Sequence, residues 1–188
     1  MAVLNNVSEM TDFFIDSKVK PGDVVLDLTM GNGNDTLYLS GKVGQKGKVY
    51  AFDIQKEALK NTKALLKEKA LYDNTVLILD SHTNLLEYVE EKVSFAVYNL
   101  GYLPKGDKSI TTKKEDTLLS IKRTLSVLDY DGMVCICAYV GHEGGMEEYK
   151  GIVDYCKELD KKSFNIVNIN HLNRRETSPV MILIEKIR

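Results

Sequence analysis

The stretch VVLDLTMGNGNDTLYLS, Val24 to Ser40, decides the fold. An apolar, β-branched run ends in an acid, Asp27. A loop with Gly31 and Gly33 follows, and Asp35 and Thr36 then open a segment with helical spacing. Two glycines one residue apart at the end of a buried strand let a flat polar group, typically a nucleotide cofactor, lie against the backbone.

The pattern repeats outward from this stretch. DVVLDLT, GKVYAFDIQ, NTVLILDSH, VSFAVYNLGYLP and GMVCICAYV read as strands. DTLYLSGKV, KEALKNTKALLKEKAL, NLLEYVEE, EDTLLSIKRTLSVL and GMEEYKGIVDYCKEL read as the helices between and after them. SFNIVNINHL and PVMILIEKI are two closing strands with no room for a helix between them, so they pair antiparallel or sit apart. The expectation is an α/β, Rossmann-like fold with a seven-stranded, mostly parallel sheet, one antiparallel strand near its edge and helices on both faces. One domain, 1–188, is expected, with its ligand at the carboxyl ends of the strands.

Composition narrows the function classes. The chain has 188 residues, 44% of them hydrophobic, enough for one sizeable core. No apolar run approaches the ~20 residues of a membrane span. The N-terminal MAVLNNVSEMTDFF lacks the pattern of a secretory signal. The 3 cysteines have no metal-like spacing, so no metal is expected; Cys135 and Cys137 alternate and should share one buried strand face. A reduced, cytoplasmic setting follows. The net charge of −2 argues against bulk electrostatic binding of nucleic acid, so any such partner must be held by local patches.

Three nucleotide readings compete for the loop. A phosphate-gripping P-loop needs a lysine after its glycines, and none is present. A dinucleotide site needs a third glycine where Thr36 stands, which weakens that reading without excluding it. S-adenosylmethionine has no pyrophosphate and needs no third glycine. Asp53, at the end of the second strand and roughly twenty residues after the loop, can accept both ribose hydroxyls of either cofactor. Asp27 can face the methionine ammonium, or act as a turn or cap acid. Asp35 either touches ligand or caps the following helix.

The fourth strand discriminates. It ends YNLGYLP, and Asn99 and Tyr102 match the outer places of the Asn/Asp-Pro-Pro-Tyr/Phe tetrad of amino-group methyltransferases, with Leu100 and Gly101 in place of the prolines. An Asn carbonyl and a backbone carbonyl can accept the N–H bonds of an attacking amine and aim its lone pair. An aromatic ring can pack on a flat substrate or steady a developing cation. A turn Asn and a core Tyr are the structural alternative.

LDLTMGNGNDT, DSH, NLGYLPKGDKSITT, YVGHEGG and NRRETSPVMILIEK together resemble the small bacterial methyltransferases of the MnmM/YtqB type, formerly labelled rRNA methylases, over nearly the whole chain. The resemblance implies a class I S-adenosylmethionine enzyme. It would N-methylate the 5-aminomethyl group of (2-thio)uridine at the tRNA wobble position, giving the methylaminomethyl form. It implies that Asp27, Gly31, Asn32, Gly33, Asp35 and Thr36 meet the methionine end of S-adenosyl-L-methionine, Asp53 and Ile54 the ribose and adenine, and Ser81 and His82 the adenine edge. Asn99, Leu100, Gly101 and Tyr102 would border the transferred methyl. The segment Lys105 to Thr112, with Lys108, Ser109 and Thr111, would cover the tRNA anticodon loop. The chain departs from the family pattern at Lys105, where glycine is common, at HEGG and at RRETSP; the last bears on the substrate side of the site.

Other residues sit on the same edge. His142, beyond the fifth strand, could take the amine proton, bond substrate or serve structure; Glu143 is a second candidate. His171 reads as structural or surface. Lys105, Lys108, Lys113 and Lys114 form a solvated surface or a phosphate contact, and Arg174 and Arg175 could hold the anticodon stem. A single-stranded wobble base suits such a site, because it can be splayed out and stacked. The alternatives are a methyltransferase acting on rRNA or on a small amine, and a non-catalytic or NAD-binding module. A homodimer is the expected way for so small a domain to gain surface.

Overall fold

The computed structural model describes residues 3–103 and 110–188. Its elements in order are α1 (Val7–Lys18), β1 (Val24–Asp27), α2 (Asn34–Val43), β2 (Lys48–Asp53), α3 (Lys56–Glu68), β3 (Thr75–Leu79), a 3-10 helix (His82–Glu87), β4 (Val93–Leu100), α4 (Lys114–Val127), β5 (Leu128–Ala138), α5 (Gly145–Glu158), β6 (Phe164–Ile169) and β7 (Val180–Lys186). One seven-stranded sheet has the order β3-β2-β1-β4-β5-β7-β6. The pairs among β1 to β5 are parallel, whereas β7 runs antiparallel to both β5 and β6. The reversed strand thus lies one place in from the edge, and the short β6–β7 connection joins an antiparallel pair, one of the two arrangements it allows.

The central strands are apolar on both faces because helices cover both. Along β4, Phe95 and Val97 point into a layer shared with Met10 and Ile15 of α1 and Leu39 of α2. Ala96, Tyr98 and Leu100 alternate into the opposite layer, with Ile121 of α4 and Ile152 of α5. Cys135 and Cys137 share the first layer, as expected, each within sulfur contact of the Thr11 hydroxyl, at 3.7 and 3.3 Å.

Two elements differ from expectation. The sequence reading assigned no element to the N-terminus, yet α1 forms there. Asn6 Oδ1 accepts the Glu9 backbone amide at 2.9 Å, and the Asn6 side-chain Nδ2 donates to the Glu9 carboxylate at 3.2 Å, so the N-cap is tied to the first turn twice. The helix expected over NLLEYVEE is instead the 3-10 helix, closed by bonds three residues apart, from Asn84 N to Ser81 O at 2.9 Å and from Tyr88 N to Leu85 O at 3.1 Å.

β1 leads to β2 on one side, and its other neighbour β4 leads to β5, so the strand order reverses between them. A crevice opens at that switch point, beyond the carboxyl ends. Among the described residues no helix is long and apolar enough to cross a membrane.

Candidate active site

The loop after β1 is built around its glycines. Gly31 and Gly33 have φ of +51° and +84°, in the left-handed region where a side chain is strained. A Cβ on Gly33 would lie 2.7 Å from the Thr62 Oγ1 and 3.0 Å from the Thr62 Cα, so close approach by α3 also demands glycine. The Thr62 hydroxyl returns a bond to the Gly31 carbonyl at 3.1 Å. Asn61 donates to the Asn32 side chain at 3.2 Å.

Behind the loop lies Asp27, fully buried at the end of β1. Its carboxylate accepts the Thr36 hydroxyl at 2.5 Å and the Thr29 amide at 3.2 Å. Burial, with the charge of Asp35 next, pushes the Asp27 pKa up to about 7. Asp27, Gly33 and Thr36 line neither cavity of the crevice; they hold the loop from below.

The crevice comprises two cavities that share Thr29, Gly31, Asn99, Gly101 and Tyr102. The smaller, of about 260 Å³, lies over β2 and β3. Asp53 lines it, with one oxygen accepting the Gly31 amide at 3.0 Å and the other the Gln55 amide at 2.9 Å. Burial raises its pKa against those amides. Ile54 beside it is 59% exposed, an apolar shelf next to an anchored carboxylate. Ser81 caps the 3-10 helix through Thr83 at 3.2 Å, and the neighbouring His82 has a buried Nδ1 without a hydrogen-bond partner. Burial lowers the His82 pKa to about 4, so the ring is neutral and able to accept or donate. Thr111 and Lys113 complete this wall, and the Thr111 hydroxyl is likewise buried without a partner.

The larger cavity, of about 750 Å³, runs from the shared floor toward α1 and the β6–β7 loop. Asn99 lies where the two meet. Its backbone amide donates to the Thr29 hydroxyl at 2.6 Å, and its side-chain amide nitrogen donates to Asp35 at 2.5 Å. Among the described residues nothing donates to the Asn99 Oδ1. Leu100 turns its side chain into the core, and its carbonyl accepts the Tyr139 amide at 3.1 Å. Gly101, at φ +156°, lets the chain turn past His142. Tyr102 is bridged to Thr111 and stands edge-on to the His142 ring, 6.1 Å between centroids. Among the described residues, Asp12 and Asp35 are the carboxylates lining this cavity, and both are raised in pKa chiefly by burial.

His142 lies on the cavity wall with Nδ1 2.9 Å from the Glu143 carbonyl. A carbonyl only accepts, so Nδ1 carries the proton. Nε2 is buried without a hydrogen-bond partner, and in the neutral ring it presents a lone pair.

The fold therefore gathers Gly31, Asn32, Asp35, Asp53, Ile54, Ser81, His82, Asn99, Gly101, Tyr102, Thr111 and His142 around one crevice. Arg174 and Arg175 are exposed and line neither cavity, and the Arg174 guanidinium donates to the Asn5 carbonyl at 2.5 Å. His171, read as structural or surface, bonds the Leu4 carbonyl at 2.7 Å. Lys105, Lys108 and Ser109 lie outside the described residues. Sequence reasoning missed Ser8 and Asp12 of α1, Thr29, Tyr38, and Thr177 and Pro179 of the β6–β7 loop. The Asn6–Glu9 cap could have flagged α1; only the tertiary fold brings the rest to the wall.

Comparison with known proteins agrees with this geometry. The family model described as "Putative rRNA methylase" matches residues 49–185. A chloroplastic tRNA (mnm(5)s(2)U34)-methyltransferase of Arabidopsis thaliana is 36% identical over 181 residues, covering 89% of this chain and 65% of that protein. The chain thus spans about two thirds of that relative's length. A crystal structure described as a "putative rRNA-methylase" of Clostridium thermocellum superposes with a TM-score of 0.95 at 36% identity, covering 98% of this chain and 99% of that one. A "putative methyltransferase" of Streptococcus mutans, solved in complex with SAH, has a TM-score of 0.89 at 35% identity, covering 98% and 99%. On fold, site and matched length, the chain belongs to the family of Rossmann-like methyltransferases described as rRNA methylases.

Proposed function

We propose that this chain is an S-adenosylmethionine-dependent tRNA methyltransferase that N-methylates the 5-aminomethyl group of (2-thio)uridine at the wobble position. The observation that carries the reading is Asn99. Its amide nitrogen is committed to Asp35, and its Oδ1 is left to accept, where the two cavities meet and beside an aromatic ring. The named activity of the Arabidopsis thaliana relative supports the same reaction.

The residues of the crevice fit the cofactor. Asp53 offers a carboxylate already aimed by two backbone amides, Ile54 an apolar shelf, and His82 a neutral, unpartnered nitrogen. Gly31 leaves its face bare, and a Cβ there would meet Leu103 at 3.4 Å. S-adenosylmethionine bound there supplies an electrophilic methyl group on sulfur.

The chain's own part is to present the acceptor. Asn99 Oδ1, with the second lone pair of the Leu100 carbonyl, accepts N–H bonds from the substrate amine and aims its lone pair. Tyr102 packs against the uracil ring. His142 Nε2 takes the proton that the amine sheds, and the Nδ1–H bond to the Glu143 carbonyl keeps that nitrogen free to do so. Lys113, Arg174, Arg175 and the lysines of the 104–109 segment contact the phosphates of the anticodon loop. One domain performs all of this, in the cytoplasm, and a second copy widens the RNA surface.

The test is methyl transfer from labelled S-adenosylmethionine to tRNA from cells lacking this gene, followed by nucleoside analysis. Label in a methylaminomethyl-uridine is the expected result. Cofactor binding without labelled tRNA rejects this substrate and points to rRNA or a small amine.

A further inference from the structure

The resemblance placed Asp35 at the cofactor's methionine end, and its position suggested a helix cap. The geometry gives it another partner. The N-cap of α2 is Gly33, with no side-chain cap bond. The hydrogen bond that the Asp35 carboxylate accepts, among the described residues, comes from the Asn99 amide nitrogen at 2.5 Å.

We propose that Asp35 is a positioning residue, whose carboxylate locks the Asn99 side-chain amide in the one orientation that turns Oδ1 toward the amine acceptor. The inference rests on the N-methyltransferase reading and adds a residue to it. The two ends of an Asn amide are nearly the same size, so shape alone holds either flip. The wrong flip would present N–H donors to the N–H bonds of the substrate amine and aim nothing. An ionised carboxylate only accepts, so it admits one flip. The Asn99 backbone is already fixed by Thr29 at 2.6 Å, which leaves the side-chain torsion as the freedom that Asp35 removes. Asp35 lines the larger cavity but acts on the acceptor through Asn99.

The experiment uses the full chain with D35A, D35N, N99A and the D35A/N99A double variant. It measures SAH affinity by titration and turnover of tRNA at saturating cofactor. D35A is expected to lower kcat about 100-fold, with SAH affinity within about threefold of wild type. D35N keeps the size of the side chain but can turn either end of its amide toward Asn99, so it admits both flips and should also stay at least about tenfold below wild type in kcat. In the N99A background, D35A should cost no more than about threefold further, since it acts through the missing side chain. If D35A does not fold, D35S replaces it, being too short to reach the Asn99 amide. A tenfold loss of SAH affinity in D35A with kcat retained would make Asp35 a cofactor ligand and overturn the proposal. D35N as active as wild type, or full additivity in the double variant, overturns it as well. A wild-type protein that binds SAH and labels no tRNA overturns the functional reading, and this proposal with it.

Discussion

The two ends of the parallel strands treat charge in opposite ways. At the amino end, acids are matched with lysines. Lys48 meets Glu91 at 2.9 Å with the Tyr50 hydroxyl on the other oxygen, and Lys18 meets Glu185 at 2.6 Å. The bonds from Lys48 lower the Glu91 pKa to about 2, and those from Lys18 lower that of Glu185. At the carboxyl end, Asp27, Asp35, Asp53 and Glu148 are bonded to hydroxyls and amides, and burial raises all four pKa values. Glu148, for example, takes its bonds from the Thr112 and Thr117 hydroxyls at 2.8 and 2.5 Å. Stability alone favours the first arrangement. Asp35 and Asp53, the two of these that line the crevice, have no lysine or arginine partner among the described residues, which is the mark of a site that receives its positive charge from outside. A sulfonium cofactor brings one.

Breaking the carboxyl end should cost function first. Asn99→Ala is expected to lower kcat by about 100-fold or more while SAH affinity stays within about threefold, read by single-turnover methyl transfer and titration. Normal turnover would remove Asn99 from the mechanism. Asp53→Ala should weaken SAH binding by about 10- to 100-fold, the worth of a charged hydrogen bond or two, with little change in melting temperature. Unchanged affinity would show that the cofactor lies elsewhere.

The loop that presents these groups is a matter of stability. Gly33→Ala forces a Cβ to within 2.7 Å of Thr62 at φ +84°, and should cost about 1–3 kcal/mol by denaturant titration. Thr62→Ala on top of it should restore part, by removing the Oγ1 and Cγ2 that lie at 2.7 and 2.8 Å.

The contrast also has a pH signature. The Asp27 pKa is raised from 3.8 to about 7, so the folded state binds its proton more tightly than the unfolded chain. Its contribution is full below about pH 4 and is lost as pH rises through about 7. Wild type should therefore lose stability relative to Asp27→Asn across that window, seen by comparing melts at about pH 5 and about pH 8. Equal slopes would mean that Asp27 folds ionised. Glu91→Gln should matter least. The pair is about two-fifths exposed on each side, and its loss should cost no more than about 1 kcal/mol and leave turnover unchanged.

What was legible in the sequence was local. Gly31 and Asp53 could be placed at the crevice because strand, loop and helix follow each other within one βαβ unit, and Asn99 because it ends an apolar run, whereas Gly33 shares the loop but lines neither cavity. The direction of a side chain at a strand end was not legible. Asp27 could as well have faced the crevice as Thr36, and only the packed α2 decides. Nor could the sequence bring Asp12 of α1 and Thr177 of the β6–β7 loop to one wall, since they lie at opposite ends of the chain and meet only through the sheet. The Asn99–Asp35 bond, between residues 64 positions apart, is of the same kind.

The place of β7 bears on how the chain leaves the ribosome. β5 ends at Ala138, but its outer neighbour β7 begins at Val180. While the intervening residues are being made, β5 has a finished inner ladder with β4 and an open row of amides and carbonyls on its other edge. The nascent chain passes through a stage with a sticky sheet margin and a crevice that still lacks its Thr177–Pro179 wall. A chain ending in that interval would carry an open β5 edge and an incomplete crevice.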